Sequence, residues 1–369
     1  MDFQKTNLVG LDKETMSKLI DPFCESGQVK NMRVSQLWDW IYIKGETDFN
    51  RMTNISKSFR NTLIDNFFLE RLEIKKRLIS KDGTRKYLLA LDDGNLIETV
   101  YIPEKDRGTL CISSQVGCTL NCSFCFTGTQ RLVRNLSGPE IVQQIMILRD
   151  ELKEWEKLRS SKDKRRSISN IVLMGMGEPL YNFDEVKKGL KIIMDETGIS
   201  ISRKRITLST SGVVPKIGLV GEEIGCLLAI SFHATTDEIR NELVPLNKKW
   251  NIDCLLTALR NYPGLSNSER ITFEYVMIDN VNDSEEDAKR LVKLISGIPS
   301  KINLIPYNPW PGSEYKTSST DRINSFAKII KLAGYSSPIR TPRGKDIMAA
   351  CGQLKSDSEK IKKSQRNVG

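Results

Sequence analysis

The spacing of apolar and polar positions changes character near residue 95. Before that point, Ser35 to Lys44 and Ile55 to Leu69 carry helical periodicity, and Asp82-Gly83 and Asp93-Gly94 give the turn signals of a hairpin. Trp38, Trp40 and Phe49 read as packing residues of this part. From about residue 108, short apolar runs alternate with helical stretches. Strands are expected at Leu110 to Val116, Ile171 to Met174, Ile206 to Ser209, Leu227 to Phe232, Ile271 to Met277 and Ile302 to Pro306. Ser137-Gly-Pro-Glu140 has capping-box spacing and opens a helix to about Lys157; Phe183 to Asp195 is another. Repeated strand–helix units imply a parallel sheet, either a barrel or an open doubly wound form. In a parallel barrel, catalytic groups gather at the carboxyl ends of the strands.

Composition narrows this. A hydrophobic content of 39% and a charged content of 28% belong to a globular chain. Apolar stretches such as Leu227 to Phe232 are too short to span a bilayer, and the N-terminus lacks a signal-peptide pattern, so a cytoplasmic protein with no membrane partner is expected. Eight cysteines in a reduced compartment point to metal or redox chemistry. The single histidine, His233, excludes multi-histidine metal sites. A net charge of +10 favours a polyanionic partner. The basic residues form three runs: Lys157 to Arg166, Arg203 to Arg205, and Lys360 to Arg366.

The chemistry concentrates after the first barrel strand. Cys118, Cys122 and Cys125 have CxxxCxxC spacing in a loop that begins with Gly117. Three thiolates so placed can grip an iron–sulfur cube and leave its fourth iron open, whereas four-cysteine ferredoxin motifs leave no vacancy. A structural zinc site would ask for a fourth ligand, usually a second CxxC pair. An open iron can chelate the amino and carboxylate groups of S-adenosylmethionine. Polar residues end the later strands: Gly177 and Glu178 in Gly175-Met-Gly-Glu-Pro179, Ser209, then Ser231-Phe232-His233, and Asn308. Cys24, Cys226 and Cys254 read as small buried hydrophobes.

The cysteine spacing, with Phe124 before the last cysteine, resembles the signature of the radical S-adenosylmethionine (radical SAM) superfamily. Further segments resemble the RlmN family of adenine C2-methyltransferases: Glu98-Thr-Val-Tyr-Ile-Pro103, Cys111-Ile-Ser-Ser-Gln-Val-Gly-Cys118, Thr207-Leu-Ser-Thr-Ser-Gly-Val-Val-Pro215, Val244-Pro-Leu-Asn-Lys-Lys249 and Ala350-Cys-Gly-Gln-Leu354. The loop 127–133 departs from the pattern, since many members carry a glycine–phenylalanine pair there.

This resemblance implies an α/β fold, a partial (β/α)6 barrel over residues 96–345. Residues 1–95 would form a small helical and hairpin accessory domain docking RNA, and residues 346–369 a C-terminal segment. It implies a four-iron, four-sulfur (4Fe-4S) cluster on Cys118, Cys122 and Cys125. S-adenosylmethionine, two molecules per methylation, would be held by Phe124, Gly177, Glu178, Ser209, Ser231, Phe232, His233 and Asn308. It further implies that Cys351 carries the methyl group, that Cys111 resolves an enzyme–RNA adduct by forming a disulfide, and that Glu98 accepts a proton. The implied partners are 23S ribosomal RNA, transfer RNA and a reducing system such as flavodoxin, with the protein a monomer. A Cfr-like C8-methyltransferase shares this chemistry. A radical activase acting on protein and a non-enzymatic iron–sulfur RNA-binding protein are the more distant alternatives.

Overall fold

The computed structural model describes residues 5–160, 166–356 and 358. Three helices come first: α1 (Lys13–Ile20), α2 (Gly27–Trp38) and α3 (Lys57–Asn66), each capped by a side chain, Asp12, Ser26 and Ser56 respectively. Trp38 and Phe49 are buried as expected, while Trp40 lies partly covered beneath the Lys44 ammonium. The helices rest on the body of the molecule. Lys13 pairs with Asp195 at 2.9 Å and Arg71 with Asp150 at 2.9 Å, and a Cβ on Gly198 would strike the Trp38 indole at 2.7 Å.

Nine strands follow in one sheet, lying side by side in chain order. The first three are β1 (Glu73–Ile79), β2 (Arg85–Ala90) and β3 (Leu96–Pro103). They form an antiparallel meander whose turns fall at the two Asp-Gly pairs. The expected hairpin is therefore three-stranded. Its outer strand β1 is edged with Glu73, Lys75, Lys76 and Arg77, charges that keep an open sheet edge in solvent. The antiparallel pairing continues from β3 to β4 (Gly108–Cys111), so one sheet runs through both sides of residue 95.

From β4 onward every pairing is parallel: β5 (Asn170–Leu173), β6 (Ile206–Thr210), β7 (Leu227–Ser231), β8 (Ile271–Met277) and β9 (Ser300–Pro306). Six parallel strands with intervening helices are the α/β barrel portion implied by the motifs. The Ser137–Glu140 capping box is present and opens α4 (Gly138–Glu151). That helix does not continue to Lys157. Leu152 ends it, Lys153 takes a left-handed φ of 52°, and α5 (Glu154–Ser160) starts anew. The later crossovers use α6 (Phe183–Met194), α7 (Val214–Leu219), α8 (Asp237–Leu243), α9 (Ile252–Arg260) and α10 (Glu285–Leu294), and α11 (Thr320–Leu332) follows β9.

After α11 the chain runs beside β9 through bridges at Ser336 and Ile339, then crosses the open ends of the strands. Residues 344–356 are fastened on two sides. Toward the meander, Asp82 accepts the Gly344 N–H at 3.0 Å and Lys86 donates to the Met348 carbonyl at 3.0 Å. Toward the cysteine loop, the Phe126 N–H donates to the Gly352 carbonyl at 2.7 Å and the Thr127 hydroxyl to the Leu354 carbonyl at 2.5 Å. Among the described residues, no helix is long and apolar enough to cross a membrane.

Candidate active site

The cysteine loop leaves the sheet at Gly117, whose φ of 76° brings it against the Arg131 carbonyl; a Cβ there would sit 2.3 Å from that oxygen. The Cys118 N–H donates to the Gln130 carbonyl at 3.2 Å, and the Leu120 N–H points at the Cys118 sulfur at 3.3 Å. Gly128 N–H closes the loop on the Cys125 carbonyl at 3.0 Å. Burial pushes the Cys118 thiol up to about 12, and burial together with the neighbouring cysteines raises Cys122 well above its ordinary range; burial also raises Cys125. Three thiolates are stable here only against a positively charged partner. Among the described residues, no three His, Cys, Asp or Glu side chains converge tightly enough to hold one metal ion. A cluster makes a looser demand, because each thiolate binds a different iron.

The three cysteines line an open cavity at the carboxyl ends of the parallel strands. One wall is the turn after β5. Gly177 has φ 106°, and a Cβ on it would lie 2.6 Å from the Gln115 side chain, so the chain passes there only as glycine. Glu178 is buried, and its two oxygens accept the N–H groups of Leu180 at 3.1 Å and Ser211 at 2.8 Å. Burial raises its carboxyl above the usual range.

The cavity is also lined by Ser209, Ser231, His233 and Asn308 from the later strand ends. His233 adopts φ 59° and stacks edge-on with Phe124, ring centroids 4.6 Å apart. Its Nδ1 accepts the Val276 N–H at 3.1 Å, which leaves the proton on Nε2. Burial lowers its pKa to about 3, so the ring is a neutral hydrogen-bond donor. Asn308 donates to the Cys351 carbonyl at 3.3 Å, while its buried Oδ1 has no protein partner. An acceptor oriented into a cavity without a donor is what a ligand amino group would satisfy.

Of the other cysteines, Cys351 lines this cavity and Cys111 lies close behind it. Cys351 lines its mouth, and its accessible surface opens there. Cys111, the last residue of β4, lies buried just behind Leu173 and Met174. Burial raises the Cys111 thiol, and the charge of Cys351 raises it further, which places the two sulfurs within electrostatic reach. Both are free thiols.

Glu98 stands apart. It is buried on β3, pairs with Lys86 at 2.9 Å and accepts the Lys355 N–H at 3.0 Å, and it does not line the cavity. Phe232 also turns away, packing edge-on against Phe273 with centroids 5.4 Å apart.

Several features escaped the sequence. Arg240 on α8 is buried and donates to the carbonyls of Phe232, Ser211 and Ser231 and to Asn247, tying the ends of β6 and β7 together. Glu274, in the middle of β8, lines the cavity. The only signal for it was one acid inside the apolar run Ile271 to Met277. Cys254, expected to be buried, is exposed on α9 because it falls on the solvent face between buried Ile252 and Leu255. Of the basic runs, Arg203 to Arg205 sits at the amino end of β6, away from the cavity, with Arg203 and Lys204 paired to Glu269. Residues 161–165 and 359–369, which hold most of the other two runs, lie outside the described residues.

A parallel barrel sheet with a three-cysteine loop and a glycine–glutamate turn at its carboxyl end defines a radical SAM enzyme. Residues 112–292 match the Radical SAM superfamily, and residues 6–69 match the Ribosomal RNA large subunit methyltransferase N-terminal domain. A solved radical SAM methyltransferase from Sphaerobacter thermophilus superposes with a TM-score of 0.85 at 38% identity, covering 95% of this chain and 99% of that one. Dual-specificity RNA methyltransferases RlmN are similar over nearly the whole length. That of Paracoccus denitrificans is 62% identical, covering 98% of this chain and 93% of its own. That of Dinoroseobacter shibae is 61% identical, covering 99% and 93%. The chain belongs to the RlmN family of radical SAM RNA methyltransferases.

Proposed function

We propose that this protein methylates C2 of adenine in 23S ribosomal RNA and transfer RNA, with Cys351 as the methyl carrier. The observation that supports it most is the free thiol of Cys351 on the cavity that the three-cysteine loop lines, with the free thiol of Cys111 within its electrostatic reach. Cys118, Cys122 and Cys125 would hold the 4Fe-4S cluster, and Glu178, Ser209, Ser231, His233 and Asn308 would orient S-adenosylmethionine next to it, with Phe124 beside the adenine. Gly177 lets the backbone approach. When bound, the cluster supplies the electron that cleaves S-adenosylmethionine and so the radical chemistry that adenine C2, with neither lone pair nor acidic proton, requires.

The protein's own residues do the rest. Cys351 takes a methyl group from one molecule of S-adenosylmethionine, and a second molecule is consumed in activating that methyl. Carbon–carbon bond formation then leaves the RNA joined to Cys351. Glu98, held by Lys86 beneath the C-terminal segment and outside the cavity, would accept the C2 proton once that pair opens. The Cys111 thiol gives up its proton and its sulfur attacks that of Cys351. The carbon–sulfur bond breaks with its electron pair staying on the methylene carbon, which takes up a proton to become the methyl group. The disulfide left behind is reopened by an external reductant. In this reading residues 1–95 dock RNA, residues 96–345 form the catalytic barrel and residues 346–369 carry the methyl. The protein works as a cytoplasmic monomer reduced by a flavodoxin-type donor.

Nucleoside mass analysis of RNA treated anaerobically with the reconstituted protein tests the proposal. It should yield 2-methyladenosine. Formation of 8-methyladenosine, or no methyladenosine from a cluster-loaded protein, overturns it.

A further inference from the structure

Loading Cys351 requires its thiol to lose a proton, and the cavity holds few groups able to take one. Glu178 has both oxygens engaged by backbone N–H groups. His233 spends its acceptor nitrogen on Val276. Glu98 is paired with Lys86 outside the cavity. Glu274 differs. It lies opposite Ser231 in the register of β7 and β8 and opposite Asn303 in that of β8 and β9, level with the ligand-facing end of β7. Its side chain lines the cavity that Cys351 also lines, yet it is almost fully buried, 6% exposed. Oε1 accepts the Asn303 amide at 2.8 Å, its one hydrogen bond among the described residues, and the second oxygen has none. A buried carboxylate with one neutral donor is poorly stabilised as an anion and well suited to accept a proton.

We propose that Glu274 is the proton acceptor for the Cys351 thiol as it takes its methyl group, directly or through one water. This rests on Cys351 being the methyl carrier. The S–H bond breaks and its proton passes to the free Glu274 oxygen. The sulfur electron pair forms the bond to the methyl carbon, and the carbon–sulfonium bond breaks with its pair leaving on S-adenosylhomocysteine. One carboxylate charge and one sulfonium charge disappear together, so the step neutralises a buried ion pair instead of creating charge in a low-dielectric cavity. The charged and titratable groups around the pair are His233 on β7, Lys301 on β9 and Arg340 beside Glu274, with Arg340 and Cys125 also acting on Cys351 and Cys111 behind it. Burial raises Glu274 above the usual carboxyl range, and its charge in turn helps to raise the Cys351 thiol.

The test compares Glu274→Gln with the parent as cluster-loaded enzyme, matched for iron content. Methyl loading of Cys351 is followed by peptide mass analysis from pH 6 to pH 9 (about the range over which the protein can be handled), and 5′-deoxyadenosine formation is measured in parallel. Glu274→Gln should load at least about 100-fold more slowly near neutral pH, with the deficit shrinking as pH rises, while cofactor cleavage stays within about threefold. Loading at the parental rate throughout overturns the proposal, and so does an equal loss of cleavage, which would make Glu274 a ligand-binding group. In cofactor-free protein, removing the carboxylate should also lower the pH midpoint for alkylation of Cys351; an unmoved midpoint overturns the contact. If the parent itself places no methyl on Cys351, the carrier reading fails, a result distinct from these.

Discussion

Glu98 accepts the Lys355 N–H at 3.0 Å, four residues beyond Cys351, and so joins the third strand of the meander to the segment that bears Cys351. The same carboxylate pairs with Lys86, whose ammonium also donates to the Met348 carbonyl, three residues before Cys351. The two side chains are only 10% and 8% exposed. They act as a clasp on both flanks of Cys351.

Breaking this pair from one side should be costly. Lys86→Met removes the cation paired with the buried Glu98 carboxylate and is expected to destabilise the fold by about 3–5 kcal/mol. Combining it with Glu98→Gln should restore much of that loss. Denaturant unfolding of the three variants measures both effects, and a lone Lys86→Met within 1 kcal/mol (about the scatter of surface changes) would refute the clasp.

Gly177→Ala forces a left-handed residue to carry a Cβ 2.6 Å from the Gln115 side chain. The strain should cost about 1–3 kcal/mol. Because Glu178 follows directly, cofactor cleavage should fall further than stability does. Parallel thermal melts and 5′-deoxyadenosine assays would show the split; equal activity in the variant would contradict it.

Much of the site was legible because its residues sit in local patterns. The Cys118, Cys122 and Cys125 spacing, the glycine–glutamate turn and the polar strand ends at Ser209, Ser231 and Asn308 are each readable within a few positions, since one strand end delivers each to the cavity. The alternation of strands and helices likewise gave the parallel sheet. What stayed hidden depends on contacts between distant elements. Glu274 is polar in mid-strand, where only its burial between Ser231 and Asn303 reveals a role. Arg240 matters through carbonyls on two other strands. The engagement of Glu98 by Lys86 and Lys355 bridges 257 positions of sequence, beyond any periodicity.

The depressed pKa of His233 carries a pH signature. The unfolded chain binds a proton below 6.5, whereas the folded imidazole resists it to about 3. The unfolded state therefore holds more protons in that window, and stability present above 6.5 is lost as pH falls toward 3. His233→Asn, which tolerates the left-handed backbone, should flatten stability against pH between those limits. Unfolding curves with the same pH slope in both proteins would contradict a buried neutral ring.

In the proposed reaction the thiol pair separates two steps. Cys351→Ala should cleave cofactor yet transfer no methyl to RNA. Cys111→Ala should accumulate protein joined covalently to RNA under anaerobic turnover, visible as a retarded band sensitive to nuclease. Absence of any such species would remove Cys111 from the resolving step.

The double fastening of residues 344–356 makes Cys351 a fixed post, since Lys86 and Glu98 grip the chain from the meander while Phe126 and Thr127 grip it from the cysteine loop. A post cannot travel between a loading station and a delivery station. Donor and acceptor must therefore come to the same address in turn.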